Sequence, residues 1–174
     1  MEPIFVLLGA PGSGKTTLAR ALLARFPFGY HVEVDVLREG VVSGIAHPVP
    51  EWTPETTRQF ELAEQAAADL AIRYHDAGFA VAIDHLHNPT SIERNLIGRL
   101  GDRPVHRIGL VPRLEVCLER NRARANKEFD TAFLEPAIRG VYKDMETMRD
   151  QLGGWRFIDS SDLDVEATID RILA

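Results

Sequence analysis

A single cysteine, Cys117, stands among the 174 residues. It can close no disulfide within the chain, so a small secreted fold stapled by bridges is excluded. Long apolar runs are also missing, and none approaches the roughly 18 residues that a membrane helix requires. Positive charge is in short supply: 20 Lys and Arg face 26 Asp and Glu, a formal net charge of −6. A general nucleic-acid coat is strongly basic, so nucleic acid is not expected as a partner, although a local basic pocket for phosphates stays compatible with the balance. The opening Met1-Glu2-Pro3 lacks the basic stretch that starts a signal peptide. Internal repeats, low-complexity tracts and linkers are absent as well. What is there is ordinary for a globular protein, with 45% apolar and 26% charged residues. The expectation is one domain over residues 1–174, without a membrane segment and cytoplasmic, its oligomeric state open.

The pattern along the chain alternates. Ile4 to Leu8 is an unbroken apolar run between Pro3 and Gly9, as in a strand buried on both faces. Lys15 to Phe26 reads as a helix with Leu18, Leu22 and Leu23 on one side. Tyr30 to Val34 is a second strand ending at Asp35. A polar stretch with Gly and Pro follows from Gly40 to Pro54. Thr53-Pro54-Glu55 opens a helix that runs to Asp76, with Thr53 as cap and Pro54 at the first helical position. Phe79 to Ile83 is a third strand ending at Asp84, and Pro89 to Leu100 a helix. Val105 to Val111 is the fourth strand, and Pro112 to about Lys127 and Leu134 to Leu152 are helical. Trp155 to Ile158 is a fifth, short strand, and Leu163 to Leu173 closes the chain as a helix. Five strands alternating with helices indicate a parallel, doubly wound α/β sheet. Ligands then bind at the carboxyl ends of the strands, where Gly9, Asp35 and Asp84 fall.

Gly9-Ala10-Pro11-Gly12-Ser13-Gly14-Lys15-Thr16 fits G-x-x-x-x-G-K-[ST], the Walker A pattern, at every fixed position. Small residues let the backbone curl around a phosphate with several N–H groups pointing inward. The helix that follows turns its positive end to the same anion. Lys15 is placed to bridge the β- and γ-phosphates, and the Thr16 hydroxyl to ligate Mg²⁺. Thr17 serves as a packing residue or a helper near the α-phosphate. In a chain of this length a chance match occurs on the order of once in a hundred. Here the match also follows a buried strand and opens a helix, as the motif demands.

The loop implies a nucleoside triphosphate but not a reaction. Guanine recognition by N-K-x-D is missing, since Asn126-Lys127-Glu128-Phe129 carries Phe at the required Asp. A kinase needs a carboxylate for the acceptor's proton, an acceptor pocket and cations over the transferring group. Asp35 is a candidate base and Arg38, three residues on, a clamp for an anionic or polyhydroxyl acceptor. A capping Asp and a solvated Arg are the plain alternatives. Asp84, after Ala80-Val81-Ala82-Ile83, suits either Mg²⁺ or the acceptor. His85 and His87, with Asn88, are candidate acceptor donors or structural histidines, and Trp52 lines the acceptor pocket or simply packs. Arg120 and Arg124 share a helix face, whereas Arg122 points roughly 200° away from Arg120. The pair suits a lid closing over the phosphates, or else a solvated face with Glu115 and Glu119 as partners. Rival readings are a nucleoside or polynucleotide kinase and a nucleotide-binding ATPase switch without transferase activity.

Gly9 to Thr16, Val34-Asp35-Val36-Leu37-Arg38, Leu118-Glu119-Arg120-Asn121-Arg122-Ala123-Arg124 and Phe157-Ile158-Asp159-Ser160-Ser161 together resemble the small P-loop kinases. These are the gluconate-kinase-like, shikimate-kinase-like, chloramphenicol-phosphotransferase-like and zeta-toxin-like proteins, often labelled AAA-family ATPases. The resemblance spans nearly the whole chain. It implies a three-layer α/β/α sandwich, with a five-stranded parallel sheet in the order 2-3-1-4-5 and a mobile helical lid at about residues 120–136. It implies ATP and Mg²⁺, and phosphorylation of a hydroxyl on a small-molecule acceptor such as a sugar acid or sugar. It maps the base or acceptor contact to Asp35, the lid arginines to Arg120 and Arg124, and the adenine turn to Asp159, Ser160 and Ser161. One departure stands out. The glycine-rich turn of shikimate kinases after the third strand is replaced by Asp84-His85-Leu86-His87, which argues against shikimate.

Overall fold

The computed structural model describes residues 1–86, 89–123, 134–149 and 153–174. Five strands form one parallel sheet: β1 (Ile4–Leu8), β2 (Gly29–Glu33), β3 (Ala80–His85), β4 (Val105–Leu110) and β5 (Trp155–Ile158), in the order β2-β3-β1-β4-β5. This is the expected order. Strand β1 lies between β3 and β4 with both faces covered, which is why its five residues are all apolar and all buried.

Alternation along β1 divides the core in two. Ile4, Val6 and Leu8 join Val32, Val81 and Ile83 beneath α3 (Pro54–Asp76), whose Ala63, Ala67, Ala68 and Ala71 let that helix lie close to the sheet. Phe5 and Leu7 join Ala80, Ala82, Ile108 and Leu110 on the other face. There α1 (Lys15–Leu23) contributes Leu18, Ala19 and Leu22, and α8 (Val165–Leu173) contributes Ile169 and Ile172. Thr53 caps α3 as expected: its hydroxyl accepts from the Thr56 amide at 3.1 Å, and Thr56 reciprocates in a capping box.

Several boundaries differ from the sequence reading. The first helix stops at Leu23 rather than Phe26. Strand β2 ends at Glu33, and a short helix α2 (Val34–Glu39) follows at once, so Asp35 sits in a first helical turn. The helix expected over Pro89–Leu100 is α4 (Pro89–Ile92), one π-helical turn (Glu93–Ile97) and α5 (Gly98–Leu100). The described part of the helix after β4 is α6 (Leu114–Arg122), and the next described helix is α7 (Glu135–Arg149). Most of the expected lid, residues 124–133, lies outside the described residues. Among the described residues no helix is long and apolar enough to cross a membrane.

Candidate active site at the carboxyl ends of the strands

The loop after β1 is held by close packing rather than by side-chain caps. Gly12 (φ +85°) and Gly14 (φ +95°) adopt left-handed backbone. A Cβ at Gly12 would overlap the Cys117 carbonyl of α6, so the loop is pressed against that helix at a point only glycine fits. Gly9, Pro11 and Ser13 are buried in the same turn. Gly14 is the N-cap of α1 and supplies no side-chain bond, and the first turn carries no acid, so the helix end is uncapped and positive. The Ser13 hydroxyl is buried with no hydrogen-bond partner among the described residues. Lys15 curls back over the loop, its Nζ donating to the Gly9 carbonyl at 2.8 Å and to Ala10 at 3.4 Å.

Directly behind the loop, Thr16 Oγ1 donates to Asp84 Oδ2 at 2.6 Å. His31 Nε2 lies 3.2 Å from the same oxygen. Burial by itself would push the Asp84 carboxyl up. The His31 hydrogen bond, the Lys15 charge and the Thr16 hydroxyl together outweigh it and hold the group below its usual value. Asp84 is therefore an ionised, largely buried carboxylate beside the loop threonine.

Strand β3 is pleated, so Asp84 and His85 point to opposite faces. Asp84 turns to the α1 side. His85 turns to the α3 side and meets Glu64 there, Nε2 to Oε1 at 2.9 Å, both side chains 0% exposed. Ser91 Oγ and Asn95 Nδ2 donate to the other Glu64 oxygen at 2.7 and 2.9 Å. Burial would raise the Glu64 carboxyl, but these donors, His85 first, lower it. Of the two readings of His85, an acceptor donor or a structural histidine, the structure shows the second: the pleat buries it in this polar cluster. His87 and Asn88 lie outside the described residues.

On the α2 side, the half-buried Asp35 carboxylate makes no hydrogen bond or ion pair among the described residues. Arg38 is 6% exposed, and its guanidinium lies 4.7 Å over the Phe60 ring. Its Nη1 donates to the Ala46 carbonyl at 3.2 Å, while its buried Nε has no partner among the described residues. Trp52 stacks on the same Phe60 at 5.1 Å and 14° and donates from Nε1 to Thr57 Oγ1 at 2.7 Å. Thus Arg38 and Trp52 share one aromatic ring.

On the opposite side of the loop a cavity of about 340 Å³ is lined by Ser13, Gly14, Thr17, Arg120, Ser160 and Thr168 among others. The Arg120 guanidinium reaches the neighbourhood of Gly14. Of the three residues after β5, Ser160 lines the cavity. Asp159 Oδ1 accepts instead from the Ser161 amide at 2.9 Å and from its hydroxyl, and Ser161 Oγ accepts from the Arg113 amide at 2.7 Å, which ties the turn to the start of α6. Those Ser161 bonds lower the Asp159 carboxyl. Arg124 lies outside the described residues.

Sequence reading missed His31 and Glu64. Both left a signal. His31 and Glu33 fall on one face of β2 by period two, and Glu64 is a lone acid on the otherwise apolar stripe Phe60, Ala67, Ala71 of α3.

Comparison with known proteins agrees with this fold. The family model AAA_33, described as an AAA domain, matches residues 4–145, and the chain belongs to that family. No curated protein shows a significant sequence match. Among solved structures the chain is similar to a sugar kinase from Janibacter sp., with 22% identity over 99% of this chain and 93% of that one and a TM-score of 0.69. It is similar to shikimate kinase from Acinetobacter baumannii, solved in complex with shikimate, with 19% identity over 99% and 92% and a TM-score of 0.64. It is also similar to a chain of the Pnkp1/Rnl/Hen1 RNA repair complex, with 18% identity over 88% of this chain and 47% of that one and a TM-score of 0.67. The fold is that of the small P-loop kinases.

Proposed function

We propose that the protein transfers the terminal phosphoryl group of ATP to a hydroxyl of a small-molecule acceptor. The observation that carries the reading is the 2.6 Å bond from Thr16 to Asp84, which joins a glycine-built loop to a strand-end carboxylate 68 residues away. The residues fit a triphosphate and its cation. An uncapped helix end, a buried Ser13 hydroxyl without a partner among the described residues and a lysine resting on loop carbonyls all offer donors to an anion. Thr16 and Asp84 supply the hard oxygen ligands that Mg²⁺ prefers, and bound there the ion would neutralise charge on the β- and γ-phosphates.

In this reading Lys15 exchanges the Gly9 carbonyl for phosphate oxygens. The cavity between Thr17 and Ser160 takes the nucleoside end, and Asp159 and Ser161 shape its turn. Arg120, with Arg124, covers the phosphates. Asp35 accepts the proton of the acceptor hydroxyl as the oxygen bonds to the γ-phosphorus; the bond to the bridging oxygen breaks and ADP leaves. Arg38 offers its Nε, which has no partner among the described residues, to an acidic or hydroxyl group of the acceptor, beside Trp52.

A second reading, a nucleoside or polynucleotide kinase, is favoured by the partly exposed Trp52 ring stacked on Phe60, a face on which a base can lie. Similarity of fold to a chain of an RNA repair complex keeps a nucleic-acid acceptor in the test despite the net charge of −6. The experiment is ADP release from MgATP against a panel of sugars, sugar acids, nucleosides and short oligonucleotides. Acceptor-dependent release identifies the class. Release that no acceptor accelerates would replace both readings with an ATPase switch.

A further inference from the structure

We propose that His31 is a positioning residue, holding the Asp84 carboxylate in the orientation in which it takes a divalent cation beside Thr16. The proposal rests on the reading of Thr16 and Asp84 as the cation site. Glu33, His31, Asp84 and Thr16 form a chain. Glu33 Oε1 lies 3.5 Å from His31 Nδ1, and His31 Nε2 lies 3.2 Å from Asp84 Oδ2, which also accepts from Thr16. Arg20 of α1 holds Glu33 in turn, Nη2 to Oε1 at 2.9 Å.

A carboxylate only accepts, so Nε2 is the donor in the His31–Asp84 contact. The torsion that spins an aspartate carboxylate is broad and roughly two-fold, so nothing intrinsic to the side chain aims its oxygens. Two donors on Oδ2 aim them here, and Oδ1 carries no hydrogen bond among the described residues. Of the two, Thr16 must also turn an oxygen lone pair to the ion. His31 has no such second duty. It stands on β2, whose Glu33 pairs in register with Asp84, so its donor comes from the rigid sheet rather than from the loop. The His31 and Asp84 side chains are only 13% and 11% exposed, so water competes little for the bond. Second partners of this kind matter most for Mg²⁺, which tolerates little departure from octahedral geometry.

Calorimetry with ATP in Mg²⁺ and with ATP in EDTA tests this on the wild type, His31→Ala and His31→Gln. The alanine variant is expected to bind MgATP about tenfold or more weakly, while its affinity for metal-free ATP stays within about twofold. Glutamine, whose amide nitrogen can stand near the place of Nε2, is expected to recover most of the loss. Thermal melting without nucleotide checks that the alanine variant folds. An alanine variant that keeps the wild-type gain from Mg²⁺ would overturn the assignment while leaving the nucleotide site intact, and one that loses ATP equally with and without Mg²⁺ would overturn it in favour of a role in holding the nucleotide site as a whole. A wild type that gains nothing from Mg²⁺ would remove the cation site itself, and this role with it.

Discussion

Asp84 and His85 are adjacent in sequence and opposite in environment. One is an ionised acid beside the loop; the other is sealed against Glu64 with no exposed surface. Strand alternation separates them. Asp35 is the residue on which turnover depends most in the proposed mechanism. Asp35→Asn keeps the shape and loses the proton acceptor, so the transfer rate is expected to fall about a hundredfold or more with ATP affinity little changed. Steady-state kinetics beside a binding titration decide this, and an unaltered rate would leave Asp35 without its role. Glu64 makes a different prediction. Its folded carboxyl titrates below the ordinary 4.5, so its ionised form favours the fold. That contribution is present above 4.5 and is lost as pH falls through the lowered folded value. Urea midpoints taken at neutral pH and again in acid are expected to drop more for the wild type than for Glu64→Gln. Parallel drops would mean that the buried pair does not set the acid limit.

Among the elements, α3 carries the widest range of duties. Its alanine stripe covers one face of the sheet, Phe60 supports both Arg38 and Trp52, and Glu64 anchors the end of β3. Its start is set by the Thr53 capping box. Thr53→Ala removes the bond to the Thr56 amide and is expected to cost about 1 kcal/mol, read as a lower urea midpoint with an unchanged slope. Most of α3 was legible beforehand because cap, Pro54 and apolar spacing agree. The π-helical turn at Glu93–Ile97 was not. Nothing in local propensity distinguishes it from the helix on either side. In the structure Glu93 accepts from Trp155 Nε1 at 2.7 Å, and Asn95 reaches Glu64. These are contacts with residues far along the chain that no local pattern announces.

At the scale of the molecule, the sheet brings three chain segments to one edge, and a ligand joining them should stabilise the whole. MgATP at a hundredfold excess over its Kd is expected to add about 2.7 kcal/mol. For a domain of this size that is a rise of about 5–10 °C in melting temperature. Lys15→Ala is expected to lose most of that rise, measured from its own melting temperature without nucleotide, because the ammonium that lies over the loop carbonyls is the cation offered to the phosphates. A Lys15→Ala protein that shows the full rise would separate the loop from nucleotide binding.

The sequence by itself determined the alternation of strands and helices, the burial of β1 on both faces and the loop at its end. Each of these is written in short-range spacing: an all-apolar run, glycines where only glycine fits, and a period of two giving way to one near 3.6. The full strand order was reached through family resemblance and agrees with the sheet observed. Only the tertiary structure decided the partnerships: His31 with Asp84 across 53 residues, Thr16 with Asp84 across 68, His85 with Glu64, and Arg38 with the ring beneath Trp52. Spacing along a strand tells which side chains share a face. What stands opposite that face depends on how distant segments pack, and no local pattern carries that information.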